Sequence, residues 1–449
     1  MTAVRVLRSI AATAAVAASL ILTAAAAPAV GVPAAPSASP SPTPTPPVAD
    51  DPSDLVRASE YWLDGARIRE AWQTTRGKGT TIAIIDTGIG KPPVAFDGAV
   101  ADGTDESGNG TPDGRTPVGA VDANHGTWVA SMAAARGNPD GTGMIGVAPE
   151  ANLLSISIGF GASAAVPFNE QVAKAMRWAV DHGADVINLS FTTNTLDWDE
   201  SWDDAFLYAF QHDVVVVVAA GNRGNGTSIV GAPATIPGVL TVGGVDQHGN
   251  ASEEASTQGI VIGISAPSEG LRGISPDGSV IDWNGTSGAA PIVAGVAALI
   301  RSAHPDLDAA NVINRIIKTA IPVPGVTRTP DPLYGYGLLD AAAAVGDIVQ
   351  TVDKNPMGDL AEWIRLYRRA PSDPQPNPDL TPVAVPPLPA ADQPSKPDSP
   401  LLPSSDSLRY GTLPLLALTV PGILIGLGVT AAARRIRSAR DRRAPSPNS

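Results

Sequence analysis

The sequence predicts an α/β fold: a three-layer, doubly wound, mainly parallel sheet with helices on both faces. Three observations carry this. Short runs rich in β-branched residues alternate with amphipathic stretches; several of those runs are apolar at consecutive positions, as strands covered on both faces should be; and glycines or small polar residues follow them directly, where such a sheet places its ligand site. In chain order, residues 81–85, 153–158, 185–189, 214–219 and 239–245 read as strands. Between the second and third, residues 169–182 read as a helix, with Val172, Met176, Ala179 and Val180 on one stripe.

Composition narrows the chemistry. With 449 residues and 43% hydrophobic content, the chain has enough apolar material for a large core. A formal charge of −14 argues against a nucleic-acid partner. The absence of cysteine removes disulfides, thiolate nucleophiles and thiolate metal sites together, so a nucleophile must be an oxygen or an amine.

The ends of the chain read as targeting segments. Arg5 and Arg8 precede an apolar run that ends in small residues, so residues 1–27 are expected to be a secretory signal peptide. Residues 28–53 are a proline-rich linker or N-terminal extension, and residues 54–350 suit a single α/β domain without internal repeats. Residues 351–369 form an amphipathic extension and residues 370–407 a proline-rich stalk. Residues 413–433 carry no charge and are long enough for one membrane span. Arg434, Arg435, Arg437, Arg440, Arg442 and Arg443 follow in the tail, residues 434–449. By the positive-inside rule that tail is cytoplasmic, which puts the α/β domain outside a cell membrane crossed once.

Four short motifs carry the chemistry. Ile84-Ile85-Asp86-Thr87-Gly88 sets a carboxylate at a strand end; alone it is equally an Asx-turn, or one half of an aspartic-protease dyad whose second half the chain lacks. Asn124-His125-Gly126-Thr127 sets one of only five histidines at the start of a small-residue helix, though a lone histidine is more often structural. Asn284-Gly285-Thr286-Ser287-Gly288-Ala289-Ala290-Pro291 places a serine at a helix N-terminus, where developing negative charge is favoured. Taken alone it could be a phosphate-holding turn, but it lacks the lysine of a Walker loop. Val218-Ala219-Ala220-Gly221-Asn222 ends an apolar strand at a carboxamide that can either cap the chain or donate to an oxyanion.

Jointly these motifs, in the order Asp, His, Ser, resemble the subtilase family of subtilisin-like serine proteases (peptidase S8). The resemblance covers residues 71–345 and includes Gly146-Val147-Ala148-Pro149. It implies a serine endopeptidase acting through an acyl-enzyme, with Ser287 as nucleophile, His125 as general base and acid, and Asp86 orienting His125. Asn222 and the Ser287 N–H would hold the oxyanion. Substrate-binding positions carried over in the same way are Gly159, Ser190, Phe191, Thr192, Ala219, Gly221 and Arg223. Arg223 falls where the family lines its S1 pocket, which suggests tolerance of acidic P1 side chains.

The layout of signal, domain, proline-rich stalk, single span and basic tail is similar to the mycosins, membrane-anchored proteases of type VII secretion. That likeness implies exported proteins or peptides as substrates and a secretion complex as partner. The alternative function is a protease-fold scaffold that stabilises such a complex with weak or dispensable catalysis, and residues 359–369 could dock a partner or pack on their own domain. No cofactor is required and no metal ligand is assigned. Family members often bind calcium, and residues 101–124 hold Asp102, Asp105, Glu106, Asn109, Asp113 and Asp122, yet a solvated loop is the preferred reading.

Overall fold

A computed structural model describes residues 54–91, 93–119, 122–161, 164–368 and 427–435. The segments read as signal peptide, linker and stalk lie outside the described residues, as does most of the expected span and tail; residues 427–435 are helical. Three short helices, α1 (Leu55–Ala58), α2 (Tyr61–Gly65) and α3 (Ile68–Ala71), come first. Strands β1 (Thr81–Asp86) and β2 (Val100–Asp105) lead to helix α4 (His125–Ala134) and strand β3 (Asn152–Ser157). The alternation continues with α5 (Phe168–Asp181), β4 (Val186–Leu189), α6 (Glu200–Gln211), β5 (Val215–Ala219), β6 (Leu240–Val245) and β7 (Ile262–Pro267). A hairpin, β8 (Leu271–Ile274) and β9 (Val280–Trp283), precedes the long helix α7 (Thr286–Ala303), and α8 (Ala309–Lys318), α9 (Ala341–Gly346) and α10 (Leu360–Tyr367) complete the domain.

Seven strands form one sheet in the order β2-β3-β1-β4-β5-β6-β7, and every neighbouring pair is parallel. Its two faces explain the unbroken apolar runs. Ile82 and Ile84 of β1, with Val215 and Val217 of β5, enter a core shared with α4, α7 and α8. Ala83 and Ile85, with Val216 and Val218, enter a second core under α5 and α6. A residue that would face water in a two-layer protein faces a helix here, so both strand periods are apolar. Helix α7, the one described helix long and apolar enough to cross a membrane, is 89% buried in this arrangement.

All five expected strands are present, each displaced by a residue or two at most. Strand β2 falls partly inside the stretch read as an acidic loop. It is an edge strand that pairs on one side only, and its sequence, VADGTD, has no apolar alternation to betray it. Register then gathers the chemistry. Asp86 pairs with Ser157, Ile85 with Leu189, and Leu189 with Val218, so β1, β3, β4 and β5 end at one level.

Candidate active site

The Asp-Thr-Gly and His-Gly-Thr motifs clasp each other. The Gly126 N–H donates to Thr87 Oγ1 at 2.8 Å, and the Gly90 N–H donates to Thr127 Oγ1 at 2.9 Å. Each motif's threonine therefore satisfies a backbone donor of the other. A Cβ on Gly126 would lie 2.7 Å from the Gly88 carbonyl oxygen and 2.9 Å from its nitrogen, so only glycine lets α4 approach the end of β1 this closely. The clasp brings His125 Nδ1 to 2.8 and 3.0 Å from the two carboxylate oxygens of Asp86. Both side chains are fully buried. An ionised carboxylate accepts only, so Nδ1 carries the proton and Nε2 holds the lone pair. Among the described residues Nε2 has no hydrogen-bond partner. Asp86 Oδ1 also accepts from the Thr87 N–H at 2.7 Å.

Ser287 is the second residue of α7, and its Oγ donates to the Ser190 carbonyl at 3.0 Å. Ser190 Oγ donates in return to the Ser287 carbonyl at 2.8 Å, which ties the end of β4 to the start of α7. The Trp283 ring lies against His125 and beside Gly288, the residue after the serine. Its centroid lies 5.7 Å from that of His125 in an edge-to-face arrangement, while a Cβ on Gly288 would sit 3.2 Å from the same indole and 2.3 Å from Leu271 Cδ1. The space beside the serine is thus filled by indole and leucine, and residue 288 must be small.

Asn222 is oriented from behind. Its Oδ1 accepts from the Thr286 N–H at 2.7 Å and from Thr286 Oγ1 at 3.0 Å. Thr286 Oγ1 in turn accepts from the Gly221 N–H at 3.0 Å. The carboxamide is left with Nδ2 as a free donor, although Asn222 is only 7% exposed. Composition gave no signal for Thr286, because its partners come from a different strand end.

The remaining expected binding positions are packed around this centre. The Gly159 N–H is pinned by Gln171 Oε1 at 2.7 Å, and Phe191 sits in a ring cluster with Phe160 and Phe168. Thr192 Oγ1 donates to the Gly231 carbonyl at 2.9 Å. Gly221 has φ +99°, and a Cβ there would lie 2.5 Å from Thr227 Cγ2; Ala219 is buried under it in β5. The Arg223 guanidinium donates to the carbonyls of Glu253 at 2.8 Å and Ser252 at 3.0 Å, so it holds the 252–254 loop.

In the acidic stretch before α4, Asp105 and Asp113 have partners within the protein. Burial acts to raise the Asp105 carboxyl, but hydrogen bonds from Ser107, Ser157 and Gly110 outweigh it and hold the group below the ordinary carboxylate range. Asp113 pairs with Lys91 at 2.6 Å. Among the described residues no three Asp, Glu or His side chains gather in this stretch or elsewhere as one cluster.

Fold and site together define the class: an α/β hydrolytic enzyme of the subtilisin type, a serine endopeptidase. The sequence pattern of the subtilase family matches residues 77–337, and the chain belongs to that family. It is similar to Mycosin-4 of Mycobacterium tuberculosis, 34% identical over 326 residues that cover 62% of this chain and 68% of the relative. Subtilisin DY of Bacillus licheniformis is likewise 34% identical, over 277 residues covering 61% of this chain and 93% of that protein. Among solved structures, the MycP3 protease from the type VII (ESX-3) secretion system superposes with a TM-score of 0.54 at 32% identity, covering 68% of this chain and 90% of that one.

Proposed function

We propose that Asp86, His125 and Ser287 are the catalytic triad of this endopeptidase and that Asn222 is its oxyanion donor. The observation that carries the reading is the buried Asp86–His125 pair with Nε2 left unpartnered. In the free enzyme Ser287 Oγ rests on the Ser190 carbonyl, and rotation about its Cα–Cβ bond turns the hydroxyl toward Nε2 when a substrate carbonyl arrives. His125 then takes the hydroxyl proton as Oγ bonds to the carbonyl carbon, and Asp86 stabilises the imidazolium. The carbonyl oxygen gains charge between Asn222 Nδ2 and the Ser287 N–H, which forms no hydrogen bond of its own among the described residues. His125 returns the proton to the leaving amine as the C–N bond breaks, and water repeats the sequence to free the acid.

Likeness to mycosins and to the MycP3 protease supports a place in type VII secretion, with exported proteins as substrates. In this reading the domain faces outward on a single span of residues 413–433. The scaffold alternative is weaker. Helix α10, its suggested docking element, rests on the domain itself: Trp363 packs on Trp198 at 4.4 Å, Leu360 is buried, and Arg368 Nε donates to Asp203 at 2.9 Å.

Cleavage of a mixed peptide library tests the triad. Ser287→Ala is expected to lower kcat by about 10⁴ or more. Asn222→Leu is expected to lower it by roughly 10²–10³, the figure known for the corresponding donor of subtilisin itself. Library cleavage that survives Ser287→Ala would remove the assignment.

A further inference from the structure

The loop after β6 and the turn before α7 enclose a cleft of about 590 Å³ directly beside Asn222. Asp246, Glu253, Glu254 and Glu269 line it, with Asn284 alongside. Among the described residues none of these four carboxylates forms an ion pair. Asp246 is spent on its own turn, accepting from the backbone of His248 and Asn250, and Glu269 accepts from Ser252 Oγ. Glu253 and Glu254 are exposed and make no side-chain hydrogen bond. Arg223, next to Asn222 in the chain, is engaged on the carbonyls of Ser252 and Glu253 and fixes the loop that carries both glutamates. Burial first, then the charges of Glu269 and Asp246, push the neighbouring Tyr61 phenol up, which marks the local field as negative.

A second feature ties this wall to a ligand. Asn222 lines the same cleft, is 7% exposed, and among the described residues its carboxamide Nδ2 has no partner while Oδ1 is doubly engaged. The cleft therefore opens on the donor assigned to the scissile carbonyl. Strand order sets its side: Gly159 and Ser190 to Thr192 follow β3 and β4, on one side of β5, whereas the acidic loop follows β6, on the other. A peptide held along the first wall and crossing Asn222 runs next into the carboxylates.

We propose that this cleft is a charge-selective subsite that takes a lysine or arginine side chain of the substrate next to the scissile bond. The inference rests on the assignment of Asn222 and Ser287 above. Exposed carboxylates each contribute modestly, so the preference is one of several-fold size and weakens with salt.

The test is a positional-scanning peptide library cleaved by the full-length protein and by its Glu253→Lys/Glu254→Lys variant, neither residue belonging to the catalytic machinery. Lys and Arg are expected to exceed Asp and Glu about three- to tenfold at one position flanking the cut. The variant is expected to lose or invert that preference while cleaving uncharged peptides at the wild-type rate. Equal cleavage of cationic and acidic peptides, or the same profile in the variant, overturns the proposal, and an acidic preference lost in Arg223→Ala would return the selectivity to that arginine. Failure of the protease assignment reads differently. If the wild type cleaves nothing, fluorescence anisotropy with a lysine-containing and a glutamate-containing peptide on the Ser287→Ala protein decides: tighter lysine binding that vanishes in the double variant supports the cleft, and equal binding overturns it.

Discussion

Thr286 joins three parts of the site through one side chain: it donates twice to Asn222 Oδ1, by N–H and Oγ1, while Oγ1 accepts from Gly221. Thr286→Val removes the hydroxyl, strands the buried Gly221 N–H and leaves the Asn222 carboxamide held by the residue 286 N–H alone. A loss of about 1–3 kcal/mol in stability is expected, together with a fall of roughly tenfold in kcat at little change in KM. Thr286→Ser should restore both, and steady-state kinetics beside chemical denaturation would check it. Asp105 allows a prediction in pH. Its carboxyl sits below its unfolded value, so the ionised form is the one the fold favours. The stabilisation is complete above the ordinary carboxylate range and is lost as pH falls through the folded value. Asp105→Asn is therefore expected to cost about 1–2 kcal/mol at neutral pH, and the gap to wild type should close on acidification. Of these residues the sequence displayed the threonines inside its motifs but gave no means of knowing what each would touch.

At the scale of elements, the meeting of β1 with α4 decides whether a carboxylate and an imidazole become a pair. The Gly126 contact with the Gly88 backbone leaves no room for a methyl group, and backbone cannot swing aside as a side chain can. Gly126→Ala is expected to push α4 away from β1, costing about 1–3 kcal/mol. Activity should fall at least tenfold through the widened Asp86–His125 distance, and kinetics at a temperature where the variant is still folded would separate the two effects. Helix α10 illustrates the opposite case. Leu360, Trp363, Ile364 and Tyr367 recur in the sequence at helical spacing, but periodicity does not say which surface an apolar face will meet. The partner is α6 together with the turn before it, through Asp203 and Trp198. Strand β2 was hidden because an edge strand with one paired side needs no apolar pattern.

For the molecule as a whole, the proposed topology makes the anchor separable from the catalyst. Deleting residues 413–433 is expected to move the protein from the membrane fraction to the soluble fraction while peptide cleavage per molecule stays unchanged. Fractionation with an activity assay checks this, and a protein that remains with the membrane would place the attachment elsewhere. The domain itself should tolerate the change, since β1 to β7 bury both faces among their own helices.

What the sequence determined by itself follows from local physics. Unbroken apolar runs require strands covered on both faces, and four short motifs in the order Asp, His, Ser, with an asparagine before the last, single out the residues proposed as the catalytic centre. Tertiary structure alone decided what depends on residues far apart in the chain. The threonine clasp between β1 and α4, the hold of Thr286 on Asn222, and the indole of Trp283 against His125 arise only when segments 39 residues apart, 64 residues apart and farther still are brought together. The acidic cleft belongs with them, because Asp246 and Glu269 become neighbours of Asn222 only once β5, β6 and the turn before α7 are packed side by side.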